Sequence, residues 1–120
     1  MLRRLFLSLP LLLLPGVALA HAILAESQPP LGGSVPAGTV DLRLRYNSRI
    51  DQGRSRLTLT RPDHGPDQDR LVLPITPDTP PDILATRAAL TPGPYVLRWQ
   101  VLAVDGHITR GDLPFTVTAP

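Results

Sequence analysis

Apolar and polar residues alternate with a period of two over much of this chain. Residues 40–46 alternate apolar side chains with Asp41, Arg43 and Arg45. Successive side chains of a β-strand point to opposite faces, so this segment predicts a strand with one buried and one wet face. Residues 57–60 and 113–118 repeat the pattern, and residues 71–75 repeat it around Pro74, which restricts that strand to a sheet edge or a bulge. The side chains expected to face the core are Val40, Leu42, Leu44, Tyr46, Leu113, Phe115 and Val117.

The longest predicted strand covers residues 95–104. We expect Trp99 to anchor the core from this strand, because burying an indole removes a large apolar area from water. Residues 83–90 have a composition that a helix would tolerate, but we interpret them as strand and loop. Turns rich in Pro and Gly separate the segments, and short strands at such spacing predict one all-β domain, either a sandwich or a small barrel. The inward positions of the long strand are Tyr95, Leu97, Trp99, Val101 and Ala103.

The first twenty residues have the pattern of an export signal. Arg3 and Arg4 precede an apolar run over residues 5–14, and Ala18-Leu19-Ala20 is a small-residue cleavage pattern. A membrane anchor is the alternative, but it needs about 20 apolar residues, and prolines and a glycine interrupt this stretch too early. We therefore expect residues 1–20 to be a signal peptide and residues 21–120 to be the exported domain. The pattern leaves open whether export is by the general secretory or the twin-arginine route.

Removal of the signal changes the charge balance of the chain. All 12 basic residues of the 120 are arginines, and loss of Arg3 and Arg4 leaves 10 against 10 acidic residues. The exported domain then has no formal net charge, and no basic run interleaved with aromatic residues indicates nucleic-acid binding. The chain has no cysteine, which excludes disulfides, zinc-thiolate sites and thiol catalysis.

His21 becomes the first residue if cleavage follows Ala20. Its free α-amino group, with a pKa of about 7.7–8.0, and its own Nδ1 atom can close a six-membered chelate ring on one metal ion. One residue then supplies two nitrogen ligands. On position alone, His21 can equally be nothing more than the residue that follows the cleavage site.

Asp105-Gly106-His107 follows the long strand. In an extended chain, residues at i and i+2 project from one face, so Asp105 and His107 can address the same ion. The same tripeptide is also typical of a hairpin turn with no ligand role. His64, in a second turn rich in Pro and Gly, is interpreted as an exposed turn residue.

Several of these segments occur together in a recognisable order. His21 is followed by Ala22-Ile23-Leu24, residues 92–99 have the pattern Pro-Gly-x-Tyr-x-x-x-Trp, and that pattern continues into Asp105-Gly106-His107. Over nearly the whole exported domain the sequence resembles the copper resistance protein CopC family. The resemblance implies an immunoglobulin-like or cupredoxin-like Greek-key β-sandwich of about seven strands in the periplasm. It also implies that Cu(II) is held by His21, Asp105 and His107.

Two features depart from the family pattern. Tyr46-Asn47-Ser48 stands where the family often has Phe-Ser-Glu, so a carboxylate near the site is missing. The methionine-rich Cu(I) site of some members has no counterpart, because Met1 is the sole methionine. Nitrogen ligands with one carboxylate favour Cu(II), with Zn(II) as the competitor, whereas Cu(I) prefers soft sulfur ligands.

The expected function is therefore sequestration or transfer of Cu(II) in copper homeostasis, without catalysis. The resemblance implies a CopD-type inner-membrane copper transporter as a partner, and we expect a monomer. Two alternatives stay open at this point. One is a copper monooxygenase of the histidine-brace kind, which would need a substrate platform and would have to accommodate the Asp105 ligand. The other is an immunoglobulin-like interaction module that binds no metal.

Overall fold

The computed structural model describes residues 22–65 and 70–120 of the chain. These ranges contain a short 3₁₀ helix at Pro62–His64 and no helix that is long and apolar enough to cross a membrane. Eight strands make up the rest of the regular structure: β1 (Leu24–Gln28), β2 (Ser34–Pro36), β3 (Gly38–Tyr46), β4 (Ile50–Thr60), β5 (Leu71–Leu73), β6 (Ile83–Leu90), β7 (Gly93–Ala103) and β8 (Ile108–Thr118).

The strands form two sheets. One sheet has three strands in the order β1-β3-β6, and the other has five in the order β2-β8-β7-β4-β5. β7 and β8 form a long antiparallel hairpin, whereas β2 runs parallel to β8 at the sheet edge. The structure confirms the predicted all-β sandwich.

The core lies between the inner faces of the sheets, as the alternation predicted. The inward positions predicted for β3, β7 and β8 are all buried. Burial of each Leu, Val or Phe side chain contributes about 1.5–3 kcal/mol. Trp99 is buried and meets the Tyr46 ring edge-on, with 5.3 Å between ring centroids. Burial also raises the pKa of the Tyr46 hydroxyl far above its ordinary value.

Some strand boundaries differ from the sequence-based expectation. β1 and β2 were not predicted. The side chains of β1 do not alternate regularly between buried and exposed, and β2 is a three-residue edge strand that ends at Pro36. β4 begins at Ile50, seven residues before the predicted segment, because a register shift between Asp51 and Arg56 breaks the alternation there. Residues 83–90 form a full strand, and β5 lies at a sheet edge as Pro74 indicated.

Gly111 on β8 leaves the space that the Trp99 indole fills. A Cβ atom added at Gly111 would lie 2.6 Å from Cε2 and 2.9 Å from Nε1 of Trp99. We expect Gly111→Ala to reduce the free energy of unfolding by about 1–3 kcal/mol, because the buried indole must shift. Chemical denaturation of both proteins measures this difference. Gly53→Ala is a matched control, since the nearest atom to its added Cβ is at 3.6 Å. Equal stability of the two variants would contradict the packing described.

Candidate metal centre

Residues 104–107 form the turn that joins β7 to β8. The Ala103 amide donates to the His107 carbonyl at 2.8 Å, and the Gly106 amide donates to the Ala103 carbonyl at 2.9 Å. Gly106 has a φ of 89°, a backbone conformation that residues with a Cβ atom rarely adopt. The tight turn therefore depends on glycine between Asp105 and His107.

The turn brings Asp105 and His107 into direct contact. The His107 amide donates to Asp105 Oδ1 at 3.0 Å, and His107 Nδ1 lies 2.9 Å from Asp105 Oδ2. The Asp105 side chain is 20% exposed and that of His107 is 65% exposed. From the sequence we expected Asp105 and His107 either to address one ion from one face of an extended chain or to lie in a hairpin turn without a ligand role. The structure has the hairpin turn, and their ligand role stays a prediction.

This contact has a chemical consequence for the imidazole. A carboxylate that is hydrogen-bonded to Nδ1 fixes the orientation of the ring. Nε2, on the opposite side of the ring, is then the nitrogen available to a metal ion. A carboxylate also has about four lone-pair positions, so Asp105 can accept two hydrogen bonds and still coordinate an ion. The pair can supply a nitrogen and an oxygen donor to one ion only when the imidazole turns its Nδ1 away from the carboxylate, because Nε2 and Asp105 Oδ2 lie on opposite sides of the ring.

The segment that leads into β1 is held close to this hairpin. Thr109 is on β8, two residues after His107, and its Oγ1 donates to the carbonyl of the buried Ala22 at 2.9 Å. The Ile23 amide donates to Asn47 Oδ1 at 2.8 Å, and the Asn47 amide donates to the Ile23 carbonyl at 2.9 Å. The predicted ligand His21 precedes Ala22 in the chain and lies outside the described residues.

Within residues 22–65 and 70–120, no three His, Cys, Asp or Glu side chains lie together in a way that could hold a metal ion. Of the predicted ligands, Asp105 and His107 are brought together as a pair. A complete site on this pair needs further donors.

His64 is far from the Asp105–His107 pair. It is exposed in the 3₁₀ helix, as predicted, and its Nε2 is 3.8 Å from Asp63 Oδ1. Arg61 binds the adjacent segment to the start of β7 by donating to the Pro92 carbonyl at 2.9 Å. The turn with His107 is at the other end of β7, an 11-residue strand that spans on the order of 30 Å. His64 cannot share an ion with His107.

Sequence reasoning missed Asn47 and Thr109. Their contacts with Ile23 and Ala22 join residues 24 and 87 positions apart. No local pattern reports such pairings. The one available signal was that Asn47 lies in the segment that departs from Phe-Ser-Glu.

Comparison with known proteins gives consistent results. The family model described as the CopC domain matches residues 24–118. The crystal structure of CopC from Methylosinus trichosporium OB3b superposes with a TM-score of 0.69 at 26% identity, covering 82% of this chain and 95% of that one. PcoC, a methionine-rich copper resistance protein from Escherichia coli, superposes with a TM-score of 0.64 at 24% identity, covering 82% of this chain and all of the other, and so shares the fold. Protein YobA of Escherichia coli K12 is 28% identical over 82% of this chain and 79% of its own length.

Proposed function

The chain belongs to the CopC family, and from that premise we propose that it is a copper resistance protein that binds Cu(II). The proposed ligands are the α-amino group and imidazole of His21, the imidazole of His107 and the carboxylate of Asp105. The ion is cargo that the protein sequesters or hands over.

One observation carries this proposal. Asp105 and His107 are in contact at 2.9 Å, and Thr109 of the same hairpin binds the main chain of Ala22, the residue that follows His21. Thr109 thereby holds the residue that follows the predicted ligand beside the hairpin. The pair offers at most two donors, and the processed N-terminus would supply two more.

The donor set favours Cu(II) among the divalent ions. Nitrogen ligands suit Cu(II) and Zn(II), and Cu(II) stands above Zn(II) in the affinity order. Residues 21–120 contain neither Met nor Cys, so this domain offers Cu(I) no sulfur ligand. The site is thus proposed for the oxidised ion.

Export follows from the same proposal. The amine of His21 exists only after cleavage behind Ala20, which places the working protein outside the cytoplasm, in the periplasm. A CopD-type membrane transporter is the proposed recipient of the ion. Val104 and Ile108, which flank the ligand pair, are 67% and 50% exposed and offer apolar contacts for such a partner.

The monooxygenase alternative has less support. A polysaccharide-cleaving enzyme would use exposed aromatic side chains as a substrate platform, whereas each Tyr, Trp and Phe in the part of the chain described by the structure is buried. We therefore propose binding without catalysis. A protein that binds no copper after signal removal would favour the interaction-module alternative.

Metal titration of residues 21–120 tests the proposed function. We expect one equivalent of Cu(II) to bind more tightly than Zn(II), and Cu(I) to bind weakly, because the site has nitrogen and oxygen donors only. Competition with chromogenic chelators of each ion gives the three affinities. Tight Cu(I) binding, or two equivalent Cu(II) ions, would contradict the proposed site.

A further inference from the structure

Residues 22 and 23 are fixed on two sides before β1 begins. Ala22 is bound through its carbonyl by the Thr109 side chain, which belongs to the five-stranded sheet. Ile23 exchanges two hydrogen bonds with Asn47, which follows the end of β3 in the three-stranded sheet. The start of the described chain is thereby tied to both sheets.

These bonds differ from the pairing that holds β1 itself. The ladder between β1 and β3 begins at Leu24 with Tyr46 as its partner. Ala22 and Ile23 precede this ladder, and the hydrogen bonds described for their main chain are made with Thr109 and Asn47. Ile23 is 56% exposed and adds little burial, whereas Ala22 is buried in the core and is held by packing as well.

We propose that Thr109 and Asn47 are positioning residues for the metal site, an inference that rests on the proposed copper function. Through Ala22 and Ile23 they restrict where the amine and imidazole of His21 can be. The loss of chain entropy then occurs on folding rather than on metal binding, which raises the affinity of a site with ligands from both ends of the chain.

The two anchors restrict the chain in different directions. Thr109 is two residues after His107, which is the last residue of the turn before β8, so their Cα atoms are at most about 7 Å apart. Its bond to Ala22 therefore sets the distance between the N-terminal ligands and the hairpin. The paired bonds of Asn47 to Ile23 fix the direction in which the chain leaves β1 toward Ala22.

The test compares Cu(II) affinity in matched pairs of variants of residues 21–120. We expect Thr109→Val and Asn47→Ala each to weaken Cu(II) binding about 10-fold, the effect of losing a group that orients a ligand. Asn47→Ala removes the acceptor for the Ile23 amide and keeps the main-chain bond to the Ile23 carbonyl. Thr109→Ser keeps the hydroxyl and should bind within about threefold of the parent protein. Asn47→Asp keeps the acceptor for the Ile23 amide and should also retain affinity.

The same variants in a protein with a blocked N-terminus distinguish an effect on the position of His21 from a general loss of Cu(II) affinity. With an N-acetylated glycine added before His21, no N-terminal amine is available, so Thr109→Val should then change the affinity by less than about threefold, as expected when two changes act on one interaction. Circular dichroism confirms that each variant is folded. If Thr109→Val failed to fold, the comparison of Asn47→Ala with Asn47→Asp would test the positioning role alone.

Three results would overturn the inference. Unchanged affinity in both Thr109→Val and Asn47→Ala would show that the anchors do not position a ligand. Equal losses with and without the added glycine would show a general effect on the domain. Absence of Cu(II) binding by the parent protein would reject the proposed function first and the positioning role with it.

Discussion

Addition of one N-acetylated glycine before His21 is expected to weaken Cu(II) binding by about 100-fold or more, because the acetyl group prevents the new residue from supplying an amine of its own. The extension keeps every side chain but turns the α-amine into an amide, which is a far poorer donor. Structural zinc sites with four ligands have binding free energies of about 10–16 kcal/mol, or about 3 kcal/mol for each ligand, and we apply the same scale to this copper site. Cu(II) titration measures the loss, and electron paramagnetic resonance should show a changed nitrogen environment.

A glycine added after Pro120 is the matched control for this extension. It adds the same residue to the exposed end of the chain beyond β8 and should leave the affinity unchanged. A side-chain-only site would keep nearly full affinity in both extended proteins, because the His21 imidazole could still rotate toward the ion. That result would remove the processed N-terminus from the site.

His107→Ala is expected to weaken Cu(II) binding by about 100-fold while leaving the fold intact. The His107 side chain is 65% exposed in a turn, so its removal takes little from the core. Asp105→Ala should also weaken binding by about 10–100-fold, whether the carboxylate coordinates the ion or orients the imidazole. Asp105→Asn keeps an acceptor without the charge and distinguishes these two roles.

His64→Ala provides the control for nonspecific loss of an imidazole. His64 is also exposed, but it lies at the opposite end of β7 and should not affect the site. Affinities come from Cu(II) titration, and circular dichroism reports the β-sheet content. Loss of the β-sheet signal in His107→Ala would mean that a structural residue had been mistaken for a ligand. A loss of similar size in His64→Ala would place the ion elsewhere.

The strands that could be predicted from the sequence are those with a buried face and a wet face. β3, β7 and β8 alternate regularly along their inward positions, so period two identified them and most of the core. β1 and β2 have little or no alternation, because they are edge strands held mainly by main-chain pairing. Such pairing depends on segments distant in sequence and leaves no local signature.

The candidate site was predictable to a similar extent. The proximity of Asp105 and His107 followed from their spacing, whereas their direct contact arises in a turn with a positive φ at Gly106. The anchors of residues 22 and 23 did not follow, because Asn47 and Thr109 meet them only after the sheets assemble. The ligand role of His21 stays a prediction.

The Pro-Gly-x-Tyr segment that carried much of the family resemblance has a structural role at the other end of the domain. Tyr95 donates its hydroxyl to the Thr91 carbonyl at 2.8 Å, and the Arg61 guanidinium lies 4.9 Å from the centre of the Tyr95 ring. A cation–π contact of this kind contributes about 0.5–2 kcal/mol. A motif that identifies the family can therefore be remote from the ligands that the family predicts.

The most direct test of the copper site is a crystal structure of residues 21–120 loaded with one equivalent of Cu(II), with anomalous scattering measured at the copper edge. The proposed function predicts one anomalous peak within bonding distance of the His21 amine, the His21 imidazole and the His107 imidazole, with Asp105 beside it. A peak at His64, or a peak on the β7–β8 hairpin without the N-terminal amine, would contradict the proposal.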